Sequence, residues 1–214
     1  MSRENLKQII KDFAIKRQNV VLSSGKKSDV YYDIRELMSD PEQMLLVAQV
    51  FTDKIREIGN IRSIGGLATG SISISSAVQY HALRDYKFLL NTFYVRKNRK
   101  NYGMQKQVEG IIKPPVAILD DVLYSGTSIS IALTELDRIN VPVSAVIPLI
   151  FRGDEKKLQE AHNMFGKNIY PIFMEGELNT VKMWWLWVDV YNVVTILLPY
   201  FHNRINSVHI VVHH

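Results

Sequence analysis

One stretch limits the choice of fold more than any other: Val116-Ala117-Ile118-Leu119-Asp120-Asp121-Val122-Leu123-Tyr124-Ser125-Gly126-Thr127-Ser128-Ile129. Four apolar residues after Pro115 give way at once to charge and turn chemistry, which predicts a buried strand too short to be a helix. From Ile129 the apolar residues Ile129, Ala132, Leu133 and Leu136 fall at helical spacing, so the Tyr-Ser-Gly-Thr-Ser turn opens a helix. Free backbone N–H groups and the positive end of the helix dipole at such a turn favour a phosphate dianion. Gly126 lets the backbone come close, and Ser125, Thr127 and Ser128 add hydroxyl donors. Asp120 and Asp121 suit the opposite partner, because carboxylates accept hydrogen bonds from vicinal sugar hydroxyls and tolerate a nearby magnesium ion. A helix N-cap with two incidental acids is the plainer reading of the same residues.

The rest of the chain supplies a frame for that turn. Residues 3–18 place Leu6, Ile9, Ile10 and Phe13 on one helical face, predicting an amphipathic helix. Residues 20–33 read as a hairpin around Ser-Gly-Lys-Lys, with Tyr31 and Tyr32 as core residues or as a stacking surface for a flat base. Asp40-Pro41-Glu42 starts a helix with Asp at the N-cap and Pro in the first turn, and Gly59 stops it. Residues 62–71 run from a strand through glycines into a helix, a second anion cradle that includes Thr69 and Gly70. A strand over residues 88–95 leads into Arg96-Lys97-Asn98-Arg99-Lys100, four cations in five residues, which reads as a solvated hairpin tip or a lid that orders on an anion. Strands over residues 143–151 and 170–174 flank a surface helix over 154–164. Strands and helices thus alternate from about residue 60 to 175, the pattern of a parallel α/β sheet covered on both faces.

Composition narrows the setting. The chain has 214 residues, 47% of them hydrophobic, enough to bury a real core. Zero cysteines removes disulfide frameworks and thiolate metal sites, in keeping with a cytoplasmic location, and charges interrupt every apolar run near the N-terminus. A net charge of +5 suits an anionic ligand, or equally a lysine-rich surface. The apolar tail, residues 181–201, nearly reaches spanning length, but Lys182, Asp189 and Asn192 interrupt it. A charge at mid-bilayer costs about 3 kcal/mol, so the tail is expected to pack on the domain or at a subunit interface, with no membrane partner.

Strand, acid pair, hydroxyl-rich turn and helix together resemble the phosphoribosyl-pyrophosphate (PRPP) loop of the type I phosphoribosyltransferases. Residues 66–71 resemble that family's pyrophosphate loop. Two further stretches are more specific: Leu-x-Ser-Gly-x-x-Ser-x-x-Tyr-Tyr at residues 22–32 and Arg-Lys-x-x-Lys-x-x-Gly followed by Glu-Gly at residues 96–110 are similar to the base-covering hood and mobile loop of orotate phosphoribosyltransferases. The resemblance covers residues 3–178 and implies a Rossmann-like parallel-sheet fold with a small N-terminal hood (1–38), a PRPP-binding core (39–178) with a mobile basic β-hairpin lid (96–110), and a tail (179–214).

It also implies an activity: transfer of the phosphoribosyl group from PRPP to orotate, with magnesium, in a cytoplasmic homodimer whose lid reaches the partner's site. Arg96, Lys97, Lys100, Thr69, Gly70, Ser125, Gly126, Thr127 and Ser128 would hold PRPP, and Asp120 and Asp121 its ribose, with magnesium carried by PRPP near that pair. Lys100, Asp120 and Asp121 would be the catalytic residues. Tyr31, Tyr32, Lys26, Tyr124 and Arg152 would meet the base, Arg152 through the substrate's carboxylate. Ser23, Tyr102 and Tyr124 depart from the common orotate pattern. Two other readings stay open: a different nucleobase, or a PRPP-sensing regulator that binds nucleic acid. The second lacks a helix-turn-helix or RNA-binding motif, so no nucleic-acid partner is expected.

Overall fold

The computed structural model describes residues 2–21, 27–98 and 106–179. The chain divides into two units after Asn179. Lys26, Lys100, Ser23, Tyr102 and the apolar tail lie outside the described residues.

The chain opens with α1 (Ser2–Ile9), a π-helical turn (Ile10–Ala14) and the strands β1 (Ile15–Val21) and β2 (Lys27–Tyr32), an antiparallel pair. The helix expected over residues 3–18 therefore ends early. Pairing of Ile15 with Tyr32 and Lys16 with Tyr31 takes the last turn of that pattern into a strand, and Phe13 points to solvent at 64% exposure. Leu6 and Ile10 do face the core. After the hairpin come α2 (Ile34–Leu37) and α3 (Pro41–Ile58). Asp40 caps α3 as expected, accepting hydrogen bonds from the N–H groups of Glu42 and Gln43 at 3.0 and 2.9 Å, and Gly59 closes it at φ 71°.

The remaining elements are β3 (Ser63–Gly65), α4 (Gly70–Tyr86), β4 (Asn91–Val95), β5 (Val108–Gly110), β6 (Val116–Leu123), α5 (Thr127–Arg138), β7 (Val143–Phe151), α6 (Glu155–Phe165), β8 (Phe173–Met174) and α7 (Glu175–Asn179). They form one sheet in the order β5-β4-β3-β6-β7-β8, parallel except for β5, the far arm of the basic hairpin. β8 is shorter than the strand expected over residues 170–174. Pro171 has no N–H to give the ladder, so pairing with β7 consists of isolated bonds from Tyr170 and Ile172 before the strand proper.

β6 is buried on both faces. Ala117 and Leu119 join a core with α1, α3 and α4, while Val116 and Ile118 join one with α5. Burying Val116, Ile118 and Leu119 is worth roughly 1.5–3 kcal/mol each, which anchors the strand in the middle of the sheet. The strand also runs further than its apolar residues. Asp120, Val122 and Leu123 pair with Pro148, Ile150 and Phe151 of β7, so both acids sit inside the ladder instead of beyond its end.

Candidate active site

The sheet order places the site. From β3 the chain moves outward to β4 and β5, then crosses back to β6 on the other side of β3. Connections after β3 and β6 thus leave in opposite directions and open a crevice at the strands' carboxyl ends. Both strands lead into helices with no side-chain cap: α4 behind Thr69 and α5 behind Gly126. At α4 the Ser71 and Ile72 N–H groups already donate to the Leu67 and Thr69 carbonyls at 3.4 and 3.2 Å, while at α5 the first bond of the helix is that of Ser130 to Gly126, so the β6 turn is the more open of the two to an anion.

These two turns are built to different tolerances. In the β3 turn, a Cβ on Gly65 would lie 2.2 Å from the Phe93 carbonyl oxygen, and one on Gly66 2.4 Å from that of Leu119. Only bare backbone fits between β4 and β6. Ala68 N–H then donates to the Val95 carbonyl at 2.8 Å, and the Ser71 hydroxyl to that of Leu67 at 3.0 Å, which fixes the turn before Gly70. In the β6 turn Gly126 adopts φ +74°, and a Cβ there would strike the Phe165 ring at 2.4 Å. The sequence offers close approach to phosphate as the reason for this glycine; the neighbour it actually makes room for is an aromatic ring of α6. Ser125, Thr127 and their hydroxyls, 3.1 Å apart, stay exposed at the mouth of the turn, with Ser128 partly covered.

The acid pair joins the two turns. A Cβ on Gly70 would lie 3.5 Å from an Asp121 carboxylate oxygen, so the start of α4 abuts Asp121. Asp121 also accepts from the Val122 N–H at 2.8 Å, and Asp120 from the Asp121 N–H at 3.1 Å. Asp120 is 7% exposed. Burial first, then the adjacent negative charge of Asp121, push its carboxyl well above the usual carboxylate range. One cation offsets this: Arg35 of α2, whose Nε lies 3.9 Å from Asp121 Oδ2 and whose charge opposes the shift of Asp120. The sequence reading missed Arg35. Its signal was the Asp33-Ile34-Arg35 run after the hairpin, where Asp33 caps α2 and Ile34 and Leu37 are buried, so Arg35 is turned outward on a fixed platform.

At the other end of the crevice the structure brings together Tyr32, Tyr124 and Arg152. The Arg152 guanidinium carbon lies 5.4 Å from the Tyr32 ring centre and 4.7 Å from that of Tyr124. Its side chain is only 10% exposed. Arg152 Nε donates to Glu175 Oε1 at 3.0 Å, and the Tyr32 hydroxyl donates to the same oxygen at 3.3 Å. Glu175 went unnoticed in the sequence, where one acid in Met-Glu-Gly-Glu carries no pattern. Tyr31 is not in this cluster. Alternation along β2 sends it to the opposite face, at 38% exposure. A cavity of about 240 Å³ runs between the β6 turn and α6, with Tyr124, Ser125, Gly126, Arg152 and Lys157 in its wall.

The basic hairpin stands at the β5–β4 edge of the sheet, on the far side of β3 from this cluster. Arg96 N–H donates to the Gln107 carbonyl at 2.8 Å, closing the stem. Arg96 Nε lies 3.2 Å from Glu109 Oε1, and its Nη2 donates to the Tyr94 hydroxyl at 3.0 Å, while Lys97 is exposed. Arg96 therefore braces the stem, and the tip begins at Lys97. Among the described residues no cluster of three or more metal-ligating side chains occurs, and no helix is long and apolar enough to cross a membrane.

No family model matches the chain. In sequence it is 31% identical over 183 residues to the orotate phosphoribosyltransferase of Aquifex aeolicus, covering 83% of this chain and 98% of that one. It is 29% identical over 181 residues to the orotate phosphoribosyltransferase of Pyrococcus furiosus, covering 83% and 95%. In structure it resembles the orotate phosphoribosyltransferase of Mycobacterium tuberculosis H37Rv with a TM-score of 0.69 at 22% identity, covering 84% of this chain and 99% of that one. Identity of this extent, over nearly the whole length of the relative, places the chain in the orotate phosphoribosyltransferase family.

Proposed function

We propose that the protein transfers the 5-phosphoribosyl group of PRPP to orotate, giving orotidine 5′-monophosphate and pyrophosphate. The observation that carries this is the pair of uncapped helix starts at adjacent strand ends with Asp120 and Asp121 between them. A sugar phosphorylated at both ends needs two anion cradles and, between them, acceptors for its hydroxyls. The β6 turn with Ser125, Gly126, Thr127 and Ser128 takes the 5′-phosphate, and Thr69 and Gly70 take the pyrophosphate.

Departure of pyrophosphate leaves positive charge on the anomeric carbon. Asp120 and Asp121 hold the ribose and stand nearest that charge, while Lys97 and, from outside the described residues, Lys100 offset the charge growing on the leaving group. Arg96 keeps the stem in place for them. Two carboxylates without a third ligand do not form a cage for a metal, but they suit magnesium that arrives on the substrate's own phosphates. Bound there, magnesium would supply further charge neutralisation to the leaving pyrophosphate. Closure of residues 96–110 would exclude water, and the family resemblance supports a homodimer in which the partner's lid does this. The hood, residues 1–38, covers the base. A cysteine-free chain suits a cytoplasmic setting.

The test supplies PRPP and magnesium with orotate, uracil, hypoxanthine, guanine or adenine in separate reactions and follows pyrophosphate release. Release with orotate alone is expected. Release with a purine alone would keep the PRPP site and overturn the base.

A further inference from the structure

We propose that Glu175 is the positioning residue of the base site, holding Arg152 and Tyr32 in the arrangement that receives the substrate's carboxylate. The proposal rests on the reading of orotate as the base. Three observations carry it. Glu175 Oε1 accepts from two partners at once, Arg152 Nε at 3.0 Å and the Tyr32 hydroxyl at 3.3 Å, which come from the end of β7 and the end of the hood hairpin. Arg152 is 10% exposed and lies against two tyrosine rings, so its guanidinium plane is confined and its orientation depends on what it is bonded to. Glu175 is itself fixed, being the first residue of α7, directly after the strand residues Phe173 and Met174 that pair with Ile150 and Phe151.

A guanidinium is a planar fork. A carboxylate on its Nε sets the rotation of that fork about the side chain, and a second carboxylate, the substrate's, then meets a donor set already aligned. The same oxygen ties the hood to the sheet, so Tyr32 and Arg152 move as one unit. Glu175 touches neither substrate nor reacting atoms and acts through Arg152.

Steady-state constants for orotate and for PRPP test this in the wild type, Glu175→Ala, Glu175→Gln, Arg152→Ala and the Glu175→Ala/Arg152→Ala double variant. Glu175→Ala is expected to raise KM for orotate about tenfold, the size of one lost charge-assisted hydrogen bond. KM for PRPP should stay within about twofold, since the phosphate turns are built from other elements. Glu175→Gln, whose amide oxygen still accepts from Nε, should recover most of the loss, and it remains informative if the alanine variant does not fold. In the Arg152→Ala background Glu175→Ala should cost far less than in the wild type, only the release of Tyr32 being left to lose. An unchanged KM for orotate in Glu175→Ala, or equal losses for PRPP and orotate, would overturn the proposal. So would a lower KM for orotate in Glu175→Gln, which would make Glu175 a competitor for Arg152. A wild type silent with orotate is a different failure: it removes the orotate reading before any variant is compared, and this proposal with it.

Discussion

The two ends of the crevice are made from different materials. The end proposed to take phosphate is backbone: two helix starts, glycines wedged between carbonyls and rings, and short hydroxyl side chains within a few residues of one another. The end proposed to take the base is side chain: Tyr32, Tyr124, Arg152 and Glu175, drawn from separate parts of the chain and held by one carboxylate oxygen and two ring faces. Backbone cradles tolerate changes in side chains but not in glycines. Side-chain clusters tolerate backbone drift but lose function when one member is exchanged. Such a molecule can keep its grip on PRPP while the base it accepts is altered one residue at a time.

Substitutions at either end should break this contrast or sharpen it. The largest effect is expected from Arg152→Ala, which leaves Glu175 without its charged partner. Removing one member of a mostly buried pair costs about 2–5 kcal/mol, and kcat/KM for orotate should fall by about two orders of magnitude or more while PRPP affinity, followed by calorimetry, holds. Equal loss of both would mean that the two ends are one site. Next is Gly126→Ala, at a left-handed position against Phe165. Strain and overpacking together should cost about 2–4 kcal/mol in denaturant unfolding, and Phe165→Ala in the same chain should return part of it by vacating the ring's space. Failure of that rescue would show that φ alone governs the position.

Asp120→Asn tests the boundary between the ends through pH. A carboxyl whose folded-state pKa is raised holds its proton in the native state after the unfolded chain has released its own. It therefore favours folding at pH below about 3.8, its ordinary value, and that contribution is lost as pH rises through the raised value. The variant cannot ionise, so its melting temperature should exceed that of the wild type near neutral pH, and the gap should close near pH 4, even as ribose binding weakens. A constant gap at all pH values would remove titration of Asp120 as the cause. The smallest effect is expected from Glu109→Gln. The Arg96–Glu109 pair is about a third exposed on each side, and solvent screening limits it to about 0.5 kcal/mol or less. Turnover, more than stability, should report loosening of the hairpin stem.

The contrast also explains what could be read from the sequence. The phosphate end lies within contiguous runs, residues 62–71 and 116–129, so strand period, acids, glycine and helix period appear side by side and point to the same chemistry. Arg152 and Tyr124 were legible only through the family resemblance, Tyr32 locally as one of two readings, Arg35 only as part of a helix start, and Glu175 not at all, because a partnership across the fold leaves no local pattern. The misplaced boundaries have similar origins. Phe13 continues a helical stripe that hydrogen bonding between β1 and β2 overrides, and Asp120 and Asp121 look like a strand end until pairing with β7 carries the ladder past them.

One contact on α7, two residues beyond Glu175, bears on how the fold is reached. Arg3 Nη2 meets Glu177 Oε2 at 2.7 Å across 174 residues of sequence, and its Nε and Nη2 also donate to the Ile172 carbonyl. Burial opposes ionisation of Glu177, but the Met174 N–H and the charges of Arg3 and Lys7 hold it below its usual range, so the dock for α1 stays ionised. At ribosomal speeds of about 5–20 residues per second, Arg3 emerges roughly 10–35 s before its partner. For that interval Leu6 and Ile10, which share a core with Ile172, Phe173 and Leu178, have no finished wall to pack against.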